Sequence, residues 1–555
     1  MKKLYVVLLF ICSLNICAQE VYEPITSSIY EYIDEMANTG MIEINSCVKP
    51  YSRKLISQKL MELNSINDSL NKRQQVELRF YLKDYNKEII KIKGNFKKRL
   101  DAFYYGDSLF QITINPIIGD RIFYNNKEFD NSNWEGPDIG HKIIGAQAFH
   151  RWAGASMFGS IGKHFAFSGS LRDNGISQNL YGETLLANHQ GGVHKSFQGQ
   201  NLSRTDFSEM YGSIAYSWDW GAISARKDNF TWGDSYNGSN IYSGRQPSIA
   251  HLDLKISPVK WFDFNWMHGW LVSEEIDSAA TYYIDGFQRD SYYNKYMAAN
   301  LFTVKPIKGT YFSIGNSVIY SDNGINPAFM IPFMFYKSVD HTYNGAGSNR
   351  VGQNSQMFMN VSTRILKYTH FYASFFLDEL SIGNMFDTEQ HTNLYSVKAG
   401  TRVSNLIPNT SLTFEYTRTN PWTYRHQISR TAYASNLYNM GHYLGENAEQ
   451  IYGAIQFKPI STLHVTISYS NSIKGPETEY KIIHGVANVK GLVFMENVVW
   501  SNQKVTIKTS YEVVNDLLIS LQFLYQNTSG SSEQFTPELY YGKTNTVILG
   551  LNYGF

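Results

Sequence analysis

From about Leu109 to the end of the 555-residue chain, apolar and polar side chains alternate with a period of two. No other feature restricts the fold as strongly. In "SLTFEYTRT", Leu412, Phe414 and Tyr416 fall on one face, and Ser411, Thr413, Glu415 and Thr417 on the other. "HVTISYSNS" sets Val465, Ile467 and Tyr469 apart in the same way, and "KVTIKTSYEVV" places Val505, Ile507, Tyr511 and Val513 against Thr506, Lys508, Ser510 and Glu512. The last stretch, "VILGLNYGF" from Val547 to Phe555, keeps the pattern up to an aromatic carboxyl-terminal residue. Such a period puts successive side chains on opposite faces of a strand. A soluble sandwich shows the same alternation with its faces reversed, so alternation alone leaves both open. A final strand that stops flush on an aromatic residue is expected where it pairs with the first strand and closes a barrel.

The amino terminus reads "MKKLYVVLLFICSLNICAQE": two lysines, an apolar run from Leu4 to about Ile16, and a small residue, Ala18. This is the pattern of a secretory leader cleaved after Ala18. Its apolar run is shorter than the ~20 residues of a spanning helix. Lipidation at Cys17 is disfavoured, because Ile16 stands where a lipoprotein leader has Gly, Ala or Ser. Cys12 and Cys17 lie inside the leader, so the exported chain keeps only Cys47 and forms no internal disulfide. Loss of Lys2 and Lys3 lowers the formal charge from +1 to −1, which gives no field to recruit nucleic acid.

Beyond the leader no stretch approaches 18 consecutive apolar residues, so a strand barrel is the remaining way across a bilayer. The 40 tyrosines and 33 phenylalanines suit the interfacial girdles of such a barrel. Connections carry more information. Short turns at "SPVK" (Ser257–Lys260), "KPIKG" (Lys305–Gly309), "LKYT" (Leu366–Thr369) and "KPIST" (Lys458–Thr462) alternate with long polar stretches at about 174–207, 229–250, 273–295, 321–354 and 420–449. Brief periplasmic turns and long outer loops produce this alternation in an antiparallel barrel. The count is an even 18 to 20 strands, with 479–501 ambiguous.

Residues 19–108 differ, because apolar positions there recur at helical spacing. Ile29, Ile33, Met36 and Ala37 form one stripe, Leu55, Ile56, Leu60 and Leu63 a second, and Leu78, Leu82, Tyr85 and Ile89 a third. Three short helices follow, whose apolar stripes need the periplasmic end of the barrel to bury against. Between Lys72 and Arg99 ten basic residues face three acidic ones. That run is either a solvated helix face or a docking face for an anionic envelope partner. The chain thus divides into a leader (1–18), a periplasmic helical segment (19–108) and an outer-membrane barrel (109–555).

Signatures of catalysis are poor. No H-E-x-x-H or G-x-S-x-G occurs, and "YGKT" (Tyr541–Thr544) fails as a phosphate loop because Pro537 replaces its first glycine. The 14 histidines are scattered, and "DHTYNG" (Asp340–Gly345) lacks the partner spacing of a lipase. No cofactor and no metal site is expected.

Several segments, in order, resemble the Wzi-like capsule assembly proteins of Gram-negative outer membranes. "PYSRKLISQKL" (Pro50–Leu60) looks like that family's periplasmic helices, and "RKDNFTWGDSYNGSNIYSGRQP" (Arg226–Pro247) is similar to its Trp-Gly segment at Trp232, Gly233, Gly238, Ser239, Ser243 and Pro247. "NPAFMIP" (Asn326–Pro332), "YASFFLDEL" (Tyr372–Leu380), "YTRTNPWTYRH" (Tyr416–His426) and "MGHYLGEN" (Met440–Asn447) resemble further family segments. The resemblance implies an 18-stranded outer-membrane barrel plugged by helices, with a lectin-like, non-enzymatic role in attaching capsular polysaccharide. A glycan site there needs rings to stack on sugars and polar groups to bond hydroxyls. Trp232, Tyr236, Trp422, Tyr424 and Arg425, in outer connections, are its candidates; the alternative is that they close loops over the barrel mouth or belong to the upper girdle. A barrel serving protein secretion or gliding, a pore, and a barrel hydrolase are the competing functions, in that order.

Overall fold

A computed structural model describes the chain except for residues 1–19, 89–98, 128–146, 181–185, 187–203, 323, 346–351, 479–480, 484–485 and 555. The leader, Ile89, Phe555 and much of the basic run before Arg99 therefore lie outside the described residues. Eighteen antiparallel strands close into a barrel. In chain order the first six are β1 (Phe110–Asn125), β2 (Ala148–Ile161), β3 (Phe165–Ser177), β4 (Arg204–Trp218), β5 (Gly221–Asp228) and β6 (Ile249–Val259). The next six are β7 (Phe262–Leu271), β8 (Lys295–Ile307), β9 (Thr310–Tyr320), β10 (Asn354–Thr363), β11 (Thr369–Leu380) and β12 (Asn393–Ser404). The last six are β13 (Thr410–Thr419), β14 (Ala448–Ile460), β15 (Leu463–Lys474), β16 (Trp500–Val514), β17 (Leu517–Gly530) and β18 (Lys543–Tyr553).

Each strand pairs with its successor, and Thr546–Tyr553 of β18 pairs with Ile118–Asn125 of β1, so no backbone edge is left in the apolar layer. Below that seam the short strand Phe103–Gly106 continues the ladder beside Gln111–Ile114. The ambiguous stretch 479–501 resolves into a connection carrying a small hairpin, Lys481–Ile483 with Val486–Asn488, followed by the start of β16 at Trp500.

Exposure decides between barrel and sandwich. On β13 Phe414 is 53% exposed while its neighbour Glu415 is 1% exposed. Ile467, Ile507, Leu521 and Leu549 on other strands are likewise exposed, and Thr413, Thr417 and Asn502 are buried. A wall that is apolar outside and polar inside matches lipid, not water. No helix among the described residues is long and apolar enough to cross a membrane.

Helices α1 (Ile29–Asn38), α2 (Arg53–Ser65) and α3 (Lys72–Tyr85) sit at the short-turn end. Ser52 caps α2 by accepting the Leu55 amide, and Asn71 with Gln74 forms a capping box on α3. Their stripes meet in one core that includes Ile33, Met36, Ile56, Leu60, Leu78 and Leu82. Contact with the wall is charged instead. Lys458 of β14 reaches Glu35 at 3.1 Å and Glu77 at 3.0 Å, Arg73 bonds both carboxylates, and Arg402 of β12 reaches Glu31 at 2.5 Å. This alters the reading of the basic run as one face. Arg73, Lys87 and Arg99 are buried in ion pairs, Arg99 with Asp84, Asp101 and Asp516, and Lys72, Arg79 and Lys83 stay exposed.

Candidate functional site in the barrel lumen

The connection between β5 and β6, residues 229–248, folds down into the lumen. Its Thr231–Trp232 pairs with Val48–Lys49 of the helical segment, the Gly233 amide donates to the Cys47 carbonyl at 2.8 Å, and Ser46 donates to Asp234 at 2.5 Å. Deeper still, the amides of Tyr236 and Asn237 donate to the Glu415 carboxylate at 2.6 and 3.1 Å. Glu415 also accepts the Tyr372 hydroxyl at 2.5 Å and pairs with Lys398 at 2.8 Å. An inward charge on β13 thus anchors the loop tip.

Residues 420–447 lie over this loop. Tyr424 donates its hydroxyl to the Asn240 carbonyl at 2.6 Å, and Tyr433 donates to Ile241 at 3.1 Å. Trp422 and Tyr424 hold φ of 63° and 73°, a left-handed conformation that costs non-glycine residues about 1 kcal/mol or more. Their amides offset this by donating to Glu446 and Asp378, each at 2.5 Å.

The five candidates from sequence are therefore not one exposed patch. Trp232 (1% exposed), within the inward loop, packs against Tyr242 of the same loop and Phe358 of β10, and Trp422 (5%) and Tyr424 (4%) are buried where the two loops meet. Tyr236 lies at the level of the helices, with Arg402 over its ring at 4.4 Å and its hydroxyl 3.0 Å from His370. Only Arg425 offers substantial side-chain surface (41%), and it pairs with Glu446 at 2.6 Å and with Glu477 at 3.6 Å. These rings lie in long connections between strands, and sequence spacing carried no signal that the connections turn inward.

Beside these loops the described residues leave a cavity of about 870 Å³, bounded by β1–β5, β15–β18, the helical segment and loop residues such as Arg245 and Tyr443. Strand alternation turns Arg121, Trp152, Arg172, Lys504 and Lys508 into it. The Trp152 indole lies across Gly119, its cross-strand partner, where a Cβ would come within 2.1 Å of the ring. Only glycine admits that approach. Guanidinium groups flank the same ring, Arg121 at 5.2 Å and Arg172 at 5.6 Å. Arg172 is neutralised by Glu209, its Nε at 2.8 Å. Asn502, Gln522 and Gln526 add amides from β16 and β17, across the β18–β1 seam. Rings, guanidinium groups and amides around a cavity are the groups that bind sugar hydroxyls and faces. Among the described residues no cluster of three or more His, Cys, Asp or Glu is arranged to hold a metal.

No family model matches the chain, and no curated protein sequence matches it. Among solved structures it resembles Wzi of Escherichia coli, described as an outer-membrane protein involved in group 1 capsule assembly and a carbohydrate-binding β-barrel. That match has 11% identity, covers 95% of this chain and 98% of the other, and has a TM-score of 0.54. The fold is that of an outer-membrane β-barrel. Two further barrels align less well: OccAB2 of Acinetobacter baumannii (9% identity, 79% of this chain and 97% of the other, TM-score 0.42) and OprD of Pseudomonas aeruginosa (9%, 79% and 92%, TM-score 0.37).

Proposed function

We propose that this barrel is a Wzi-like surface protein that holds capsular or related surface polysaccharide by lectin-like binding, without catalysis. The observation that carries the reading is the divided lumen. Helices and the inward loop fill part of the lumen with buried side chains, and beside them lies a cavity of mixed apolar and polar lining that includes an indole, guanidinium groups and amides. A passage for free solute has no use for the first feature, and a saccharide segment matches the second. The likeness to a carbohydrate-binding barrel along nearly the whole chain supports the same assignment. Export on a leader cleaved near Ala18 belongs to the proposal, as does a periplasmic partner at the exposed Lys72, Arg79 and Lys83 of α3. In the barrel's packing, Trp232, Tyr236, Trp422 and Tyr424 brace the loops, and Arg425 is the candidate left facing solvent. The experiment is a pull-down with the purified full-length barrel in detergent against surface glycan extracted from its own strain. Retention of glycan above a barrel of unrelated function supports the reading, and equal retention overturns it.

A further inference from the structure

Arg121 of β1 and Lys504 and Lys508 of β16 stand apart from the other cations of the lumen. Arg53, Arg99, Arg172 and Arg402 each have carboxylate partners. The other three line the cavity with no hydrogen-bonding or ion-pair partner for their charged ends among the described residues. The acid that acts on Lys508 is Glu31, already held by Arg402. Register fixes their arrangement. Arg121 lies opposite Gly550, Gly550 opposite Ser520, and Ser520 opposite Ser510, one inward position from Lys508. Arg121 and Lys508 thus face the cavity from backbones about three strand spacings, or ~14 Å, apart across the wall, and Lys504 lies further along β16. Between them inward positions such as Thr506, Ser520, Gln522, Leu524 and Ile548 are uncharged, so no acid interrupts the track.

Three like charges confined to one cavity repel each other, more strongly than in bulk water because the surrounding protein lowers the dielectric. That repulsion is relieved when anions enter. Resting on the polysaccharide reading, we infer that the cavity is an anion-selective glycan subsite, which takes a saccharide segment bearing carboxylate or phosphate groups. Lys504, Lys508 and Arg121 bind its charges, and the Trp152 ring, held flat over Gly119, supports a sugar face. The site lies inside the barrel, bordered by the loops, and needs none of the five candidate residues read from sequence.

The test titrates the purified full-length barrel with oligogalacturonate and with maltohexaose of equal length, as wild type and as R121Q/K504Q/K508Q. Wild type should bind the acidic oligomer more than about tenfold more tightly, and the variant should lose that preference. Raised salt should weaken the acidic oligomer alone. Equal affinity, preference for maltohexaose, binding of neither, or an unchanged preference in the variant overturns the subsite. If the variant does not fold, as judged by heat-modifiable migration, the wild-type comparison and its salt dependence decide. The two proposals fail separately: a barrel that retains its native glycan in the pull-down but shows no acidic preference loses only the subsite.

Discussion

Glu415→Ala is the sharpest perturbation of the inward loop. It removes the acceptor for two loop amides and the Tyr372 hydroxyl, and leaves Lys398 buried without its 2.8 Å partner. Removing one member of a buried, hydrogen-bonded ion pair costs about 3–5 kcal/mol, because the remaining charge is stranded. The ladder of β13 is unaffected, since its strand pairing uses backbone groups. The cost therefore falls on loop seating. Cys47 reports on it, because that residue is buried beneath the loop and its carbonyl accepts the Gly233 amide. Burial, with Asp234 nearby, pushes its thiol up to about 12, so native labelling is slow. A weakening of 3–5 kcal/mol raises the open population, and hence maleimide labelling mapped to Cys47, by between about a hundred and a few thousandfold. Glu415→Gln, which keeps one acceptor oxygen but neither the second nor the charge, should fall between. A folded E415A barrel whose Cys47 labels at the wild-type rate would refute the anchoring role.

Gly119→Ala should push the Trp152 ring off its seat and destabilise the folded barrel by about 1–3 kcal/mol, seen as a lower guanidinium midpoint; an unchanged midpoint contradicts the packing. Burial raises the Glu77 carboxyl to about 7, whereas Glu31 and Glu35, whose burial is outweighed by Arg402 and by Lys458 with Arg73, are held at about 2. Glu77 then adds stability that is complete below its ordinary value of about 4.5 and is lost as pH rises through 7, while the other two add stability that is lost as pH falls from about 4.5 through 2. The helical segment should accordingly resist guanidinium best near pH 5, and a steady rise in resistance to pH 8 goes against this assignment. Planar bilayers should show little conductance for the intact chain and more after removal of residues 20–100; large, steady channels from the intact chain contradict the partly filled lumen.

The architecture was legible because a barrel wall is written residue by residue: Leu412, Phe414 and Tyr416 alternate with Thr413, Glu415 and Thr417 in the sequence and face lipid and lumen in the structure. The four short turns read from sequence, at 257–260, 305–309, 366–369 and 458–462, each join two neighbouring strands in the same local way. Helical stripes at Ile33, Leu60 and Leu82 likewise report burial, and all three meet in one core. The site was less legible because it depends on contacts between residues far apart in the chain. Nothing near Tyr236 announces Glu415, 179 positions later. Lys508 was visible as an inward lysine on β16, but that it shares a cavity with Arg121 follows only once β18 closes on β1.

The central claim is that the barrel holds polysaccharide on the cell. Its most direct measurement compares cell-bound with released glycan in a strain lacking the gene, and in that strain carrying the gene again. The account predicts that glycan shifts from the cells into the medium on deletion and returns to the surface on complementation. A deletion strain that keeps all its glycan cell-bound, while losing secretion or motility, would contradict it.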